Sequence, residues 1–173
     1  LGLVGSEMCI RDSRLKCLGE VGLDRRFVPQ TFGVQLKVFQ LFLKKASEYD
    51  LALNLHAAGA WREVYELVVK SDIDRALFHW YTGPLNLLEE IVENDYFVSI
   101  NPAVKIQEKH RRVMEALPIR NLLTESDGPY EYRGLSLNPS MVKDVVELVA
   151  KAKELSVSAV LDWIGCNLRK LVK

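Results

Sequence analysis

Apolar residues along this chain fall into two kinds of stretch. Short, mostly apolar runs alternate with longer stretches in which apolar residues recur every three or four positions. The short runs Leu15–Gly19, Leu51–Leu55, Arg75–Phe78, Tyr96–Ile100 and Arg120–Thr124 predict strands. The longer stretches predict helices over Phe32–Tyr49, Trp61–Val69, Leu85–Asn94, Lys105–Leu117, Pro139–Leu155 and Ser158–Leu171. The first of these carries Phe32, Leu36, Phe39, Phe42, Leu43 and Ala46 on one face. The fifth does the same with Val142, Val145, Val146, Val149 and Ala150. Pro84 stands just before one helix, Pro118 ends another, and Ser156 or Ser158 is suited to cap the last.

Strands that read as continuous apolar runs, without alternation, belong to a parallel sheet covered on both faces. Strict strand–helix alternation, repeated over five units, points to a doubly wound sheet or to a (β/α)8 barrel. A complete barrel needs roughly 250 residues, and this chain of 173 residues is one domain or part of a larger one. Residues 1–13, LGLVGSEMCIRDS, fit neither periodicity and lack the basic start and apolar stretch of a signal peptide. They are expected to be foreign to the fold, of the kind produced by a translated sequencing adapter. The fold domain is then residues 14–173.

The residue that closes each strand carries chemistry. Glu20 follows the first strand, His56 the second and His79 the third, and Asp127 lies just past the fifth, before Gly128-Pro129. Parallel strands all point one way, so these four are expected on the carboxyl face, where such folds bind ligands. Imidazole nitrogen and carboxylate oxygen are the donors that divalent cations take. Two cations sharing a carboxylate lower the pKa of a bound water and clamp a phosphoryl oxygen. Asp127 is the expected base for that water. The third histidine, His110, lies among the charges of Gln107–Arg112 and reads as a solvated surface residue.

Charge changes the picture little. The 23 basic and 23 acidic residues cancel, which gives no support for a broad nucleic-acid face but leaves room for a small basic groove. No run is apolar enough to span a membrane. Cys9, Cys17 and Cys166 show neither metal spacing nor a disulfide framework, as expected of thiols in a reducing, cytoplasmic compartment. Trp80 and Tyr81 are candidates to stack on a nucleobase, and Arg25 is a candidate phosphate contact.

Gly19-Glu20-Val21-Gly22-Leu23-Asp24, Leu55-His56, His79-Trp80-Tyr81-Thr82-Gly83, Thr124-Glu125-Ser126-Asp127-Gly128-Pro129, Asn138-Pro139 and Asn167-Leu168-Arg169-Lys170-Leu171 resemble the ordered motifs of the TatD family of metal-dependent deoxyribonucleases. The resemblance implies a TIM-type (β/α)8 barrel of the amidohydrolase superfamily. It also implies a site for two divalent metals (Mg, Mn or Zn) and hydrolysis of DNA phosphodiesters, often from a 3′ end. Glu20 resembles the carboxylate shared by the metals, and His56 and His79 resemble ligands of one of them. Asp127 resembles a ligand of the other and the residue that handles the water proton. Glu125 receives no metal role, since on a continuing strand it would face away from Asp127.

The family's opening His-x-His pair is absent. The expectation is therefore about five of the eight barrel units, with the first strands missing and at most one metal held. The open edges at Leu15–Gly19 and Arg120–Thr124 would favour self-association. Short or single-stranded DNA ends are the expected partner. Two alternatives are kept: an amidohydrolase-type enzyme acting on an ester, amide or aminoacyl-nucleic acid, and a non-catalytic gene fragment.

Overall fold

The computed structural model describes residues 15–173, so the expectation for residues 1–13 lies outside the described residues. Two compact units divide the chain: residues up to Leu77 with Leu171–Lys173, and Phe78–Lys170.

In the first unit, strand β1 (Cys17–Gly22) leads through helix α1 (Phe32–Tyr49) to strand β2 (Ala52–His56) and helix α2 (Trp61–Lys70). Strand β1 runs beyond Gly19, its predicted end, and pairs parallel with β2 from Cys17 opposite Ala52 to Gly22 opposite His56. The register shifts between Leu18 and Val21, so Gly19 and Glu20 occupy an irregularity that turns Glu20 toward solvent. Glycine is required at position 22, where φ is +152° and a Cβ would lie 1.8 Å from the His56 carbonyl oxygen. Helix α1 buries Phe39, Leu43 and Ala46 along the predicted face and ends at Asp50, which is left-handed and donates its N–H to the Ala46 carbonyl. Helix α2 buries Val64, Tyr65 and Val68.

Strand β3 (Ala76–Phe78) carries the chain into the second unit. There helix α3 (Leu85–Glu93), strand β4 (Phe97–Ile100), helix α4 (Glu108–Ala116) and strand β5 (Leu122–Thr124) follow. Strands β4 and β5 are parallel, with Val98 opposite Leu122 and Ile100 opposite Thr124. Every residue of β4 is buried, as a strand covered on both faces must be. Beyond β5 come strand β6 (Tyr130–Tyr132), strand β7 (Leu135–Leu137), helix α5 (Val142–Ala152) and helix α6 (Val157–Leu171). Helix α5 buries Val145, Val146, Val149 and Ala150. Ser156 caps α6, its hydroxyl accepting the Ala159 N–H at 3.1 Å. Asn167, wholly buried, ties α6 to β5 by donating to the Ile119 and Leu122 carbonyls, both at 2.8 Å.

The sheet order is β1-β2-β3-β4-β5. Strictly sequential order is that of a (β/α)8 barrel, whereas a doubly wound sheet reverses partway. The fold is α/β with five parallel strands in barrel order. No helix among the described residues is long and apolar enough to cross a membrane.

Three local expectations are corrected. Helix α4 starts at Glu108, not Lys105, because Pro102–Lys105 forms a 3-10 turn capped by the Asn101 side chain, which accepts the Ala103 N–H. The antiparallel hairpin β6–β7 was not anticipated. His110 is not a surface residue: it is wholly buried, donating from Nδ1 to the Tyr81 carbonyl and accepting the Asn101 N–H at Nε2, each at 3.1 Å. Burial pushes its pKa down from 6.5 to about 4, so it is a neutral bridge between α4 and the residues that follow β3 and β4.

Candidate metal centre

In the first unit β1 presents Glu20 and β2 ends in His56. The imidazole lies between two carboxylates, with Nδ1 2.7 Å from Glu20 Oε1 and Nε2 3.3 Å from Asp24 Oδ2. The Glu20 carboxylate raises the His56 pKa above its ordinary value, against the opposing effect of burial. Burial pushes the Asp24 carboxyl up, but the Phe27 and Arg26 amides and His56 outweigh it and hold the group below its usual value. Asp24 also fixes its own loop, because Oδ1 accepts both the Arg26 and Phe27 N–H groups at 2.8 and 2.7 Å. Gln35 of α1 clasps the same loop through Asp24, Val28 and Thr31. Together these residues line a cavity of about 330 Å³ that includes Glu20, Gly22 and His56.

Arg25 does not project into that cavity. Its guanidinium grips both carboxylate oxygens of Glu63 and lies 3.9 Å over the Phe32 ring.

In the second unit His79 follows β3 and is 8% exposed. Glu125, the first residue past β5, holds it: Oε2 accepts from Nδ1 at 3.0 Å while Oε1 accepts the Trp80 N–H at 2.9 Å. Asp127 faces the other ring nitrogen, with Oδ1 3.6 Å from Nε2. It reaches that position from a left-handed backbone, φ +53°. The strand ends at Thr124, so the side-chain alternation that was expected to turn Glu125 away does not extend to it. Glu125 thus joins the candidate site, where sequence reasoning assigned it no role, and Asp24 joins it at His56. The available signal for each was its place within a motif already singled out.

Of the predicted aromatic contacts, Tyr81 is corrected. It is wholly buried, its ring edge-on to Phe78 and its hydroxyl donating to the Pro84 carbonyl at 2.7 Å. It has no face to offer a base. Trp80 is partly open.

The second cluster fits a divalent cation. A carboxylate on Nδ1 fixes the proton there and leaves the lone pair on Nε2, the arrangement of a metal-binding histidine. The 3.6 Å from Nε2 to Asp127 is too long for a hydrogen bond. It is close to the separation of about 3.4 Å between two ligands that each lie about 2.1 Å from one tetrahedral cation. In the first cluster, imidazole and carboxylate are again the donor types such a cation takes.

Parallel βα units ending in histidines set against carboxylates define an α/β protein with a candidate divalent-metal centre. The chain belongs to the family described as TatD related DNase, whose model matches residues 5–173. It is 34% identical over 158 residues to an uncharacterized metal-dependent hydrolase of Methanocaldococcus jannaschii, covering 90% of this chain and 62% of that protein. An uncharacterized metal-dependent hydrolase of Haemophilus influenzae is 27% identical over 168 residues, with 93% and 67% covered. The fold is that of the crystal structure of YJJV, a TatD homolog from Escherichia coli K12: TM-score 0.84 at 23% identity, covering 96% of this chain and 68% of that one. A TatD family hydrolase from Entamoeba histolytica gives a TM-score of 0.80 at 17% identity, with 96% and 66% covered. The chain therefore spans about two thirds or less of the length of these relatives.

Proposed function

We propose that this chain supplies ligands and the proton acceptor for metal-dependent hydrolysis of phosphodiester bonds in DNA. The observation that carries the reading is His79, oriented by Glu125 on one nitrogen and set at ligand spacing from Asp127 on the other. The family's description as TatD related DNase supports DNA as the substrate. Glu20 with His56, and His79 with Asp127, would hold divalent cation, and both pairs follow or close parallel strands. When bound, a divalent cation supplies Lewis acidity, which acidifies water and neutralises phosphate oxygen charge.

The chain's own residues do the rest. Glu125 keeps the His79 proton on Nδ1, so that Nε2 presents its lone pair. Asp127 accepts the proton of the attacking water, and Asp24 steadies the His56 ring opposite Glu20.

The test is release of labelled nucleotides from single-stranded DNA with Mg²⁺, Mn²⁺ or Zn²⁺, comparing the chain with Asp127→Asn. The substitution keeps the shape and removes the proton acceptor, so the rate should fall at least about 100-fold with the far-UV circular dichroism unchanged. Undiminished cleavage by Asp127→Asn, or intact DNA with every metal, overturns the reading.

A further inference from the structure

The β6–β7 hairpin holds none of the metal-cluster residues; β7 anchors it to the core through the buried Leu137, while Tyr130 of β6 stays exposed. Its turn places Arg133 and Gly134 in succession at positive φ, +50° and +82°, a backbone that suits the twist of a two-stranded ribbon. Two of the three β6 residues are tyrosines, and both rings meet Trp80. The Tyr132 centroid is 5.0 Å away with planes at 74°, and the Tyr130 centroid is 6.1 Å away with planes at 77°.

Trp80 directly follows His79 and is pinned at both ends. Its backbone N–H donates to Glu125 and its indole N–H to Gln107 Oε1 at 2.8 Å. The residue sits at φ +43°, which is natural for glycine and disfavoured for a bulky side chain. Backbone preference alone would put glycine there, and the indole stands against that preference.

Tyr130 is nonetheless 48% exposed, so the cluster does not serve to bury it. The exposed Arg133 guanidinium lies 5.4 Å over the Tyr132 ring. An open tyrosine braced by an indole, with a cation over the next tyrosine of the same strand, is suited to stack an unpaired base and meet its phosphate.

We infer that the β6–β7 hairpin is a stacking platform for single-stranded DNA, with the open face of Tyr130, braced by Trp80, receiving an unpaired base and Arg133 the adjoining phosphate. The inference rests on DNA being the substrate and deepens that reading, since the braced indole adjoins the His79–Asp127 cluster.

The experiment is equilibrium binding, in EDTA, of a single-stranded oligonucleotide carrying fluorescent 2-aminopurine, and of the same strand with abasic positions. The proteins are wild type, Tyr130→Phe and Tyr130→Ala. Wild type and Tyr130→Phe should quench the fluorophore. Tyr130→Ala should bind roughly 5- to 150-fold more weakly. The abasic strand should bind wild type and Tyr130→Ala alike. Three outcomes overturn the platform: no binding by wild type, unchanged binding by Tyr130→Ala, or an equal loss on the abasic strand. Hydrolysis is scored separately. If wild type leaves DNA intact with metal but shows the predicted binding pattern, the hydrolytic reading fails and the platform stands. If it cleaves DNA and Tyr130→Ala binds unchanged, the platform alone fails.

Discussion

Replacing Glu125 by Gln tests the candidate metal centre without changing its shape. The carboxylate now accepts from two donors, the His79 Nδ1–H at 3.0 Å and the Trp80 N–H at 2.9 Å. An amide offers one oxygen and one NH2, so one of those donors must lose its acceptor. If the oxygen stays on Trp80, the NH2 faces Nδ1 and the imidazole relieves the clash by moving its proton to Nε2. That proton then points at Asp127, where the lone pair is needed. If the oxygen stays on His79, the NH2 opposes the Trp80 N–H, which keeps only its longer bond to Ser99 Oγ at 3.3 Å, and the repulsion pushes the amide away from the ring it must orient. Either way, metal affinity should fall by about 10- to 100-fold, the usual effect of removing a carboxylate behind a histidine ligand. The assay is isothermal titration of Mn²⁺ or Zn²⁺, with chelator competition where binding is tight. Glu125→Asp, which keeps the charge, should recover part of the loss. Wild-type metal affinity in Glu125→Gln would refute the assignment of Glu125 as the group that sets the His79 tautomer.

Two further predictions concern stability. His110 is held neutral, with a folded pKa of about 4 against 6.5 in the unfolded chain. Between those values the unfolded state binds the proton and the folded state does not, so stability is complete above 6.5 and is lost as pH falls toward 4. The loss should reach about 3 kcal/mol; urea midpoints across the window should fall in the wild type and flatten in His110→Gln, and parallel curves would refute the mechanism. Gly22→Ala places a methyl group against the His56 carbonyl at 1.8 Å, on a backbone with φ +152°. It should destabilise the chain by on the order of 3–5 kcal/mol and weaken metal binding through Glu20 and His56, and an unchanged urea midpoint would count against it.

The strands were legible because parallel strands covered on both faces are mostly apolar, and apart from Asn54, Ser99 and the closing His56, β2 and β4 are. The ligand candidates were legible because few residue types bind metal and the strand ends are few. Glu125 was not legible, because the rule applied to it assumed a strand running past Thr124. What decides its direction is a left-handed Asp127 and a Trp80 N–H arriving from another strand's end. The β6–β7 hairpin was obscured by its brevity. Tyr130-x-Tyr132 and Leu135-x-Leu137 alternate about Arg133-Gly134, but each arm is three residues long and follows Gly128-Pro129, which reads as the end of regular structure.

His110 shows the limit most sharply, because its local composition pointed the wrong way. Its neighbours Lys109, Arg111 and Arg112 are charged and exposed, and an average over the stretch describes them, not it. Helical spacing describes it better. His110, Val113, Met114 and Leu117 stand at i, i+3, i+4 and i+7, and all four are buried. A histidine in that stripe faces the core, where it must be neutral and bonded at both nitrogens. The two groups that satisfy it, the Asn101 N–H and the Tyr81 carbonyl, belong to the residues just past β4 and β3. The periodicity was therefore enough to place the side chain, whereas its partners, 9 and 29 residues away in sequence, are fixed only when the strands fold.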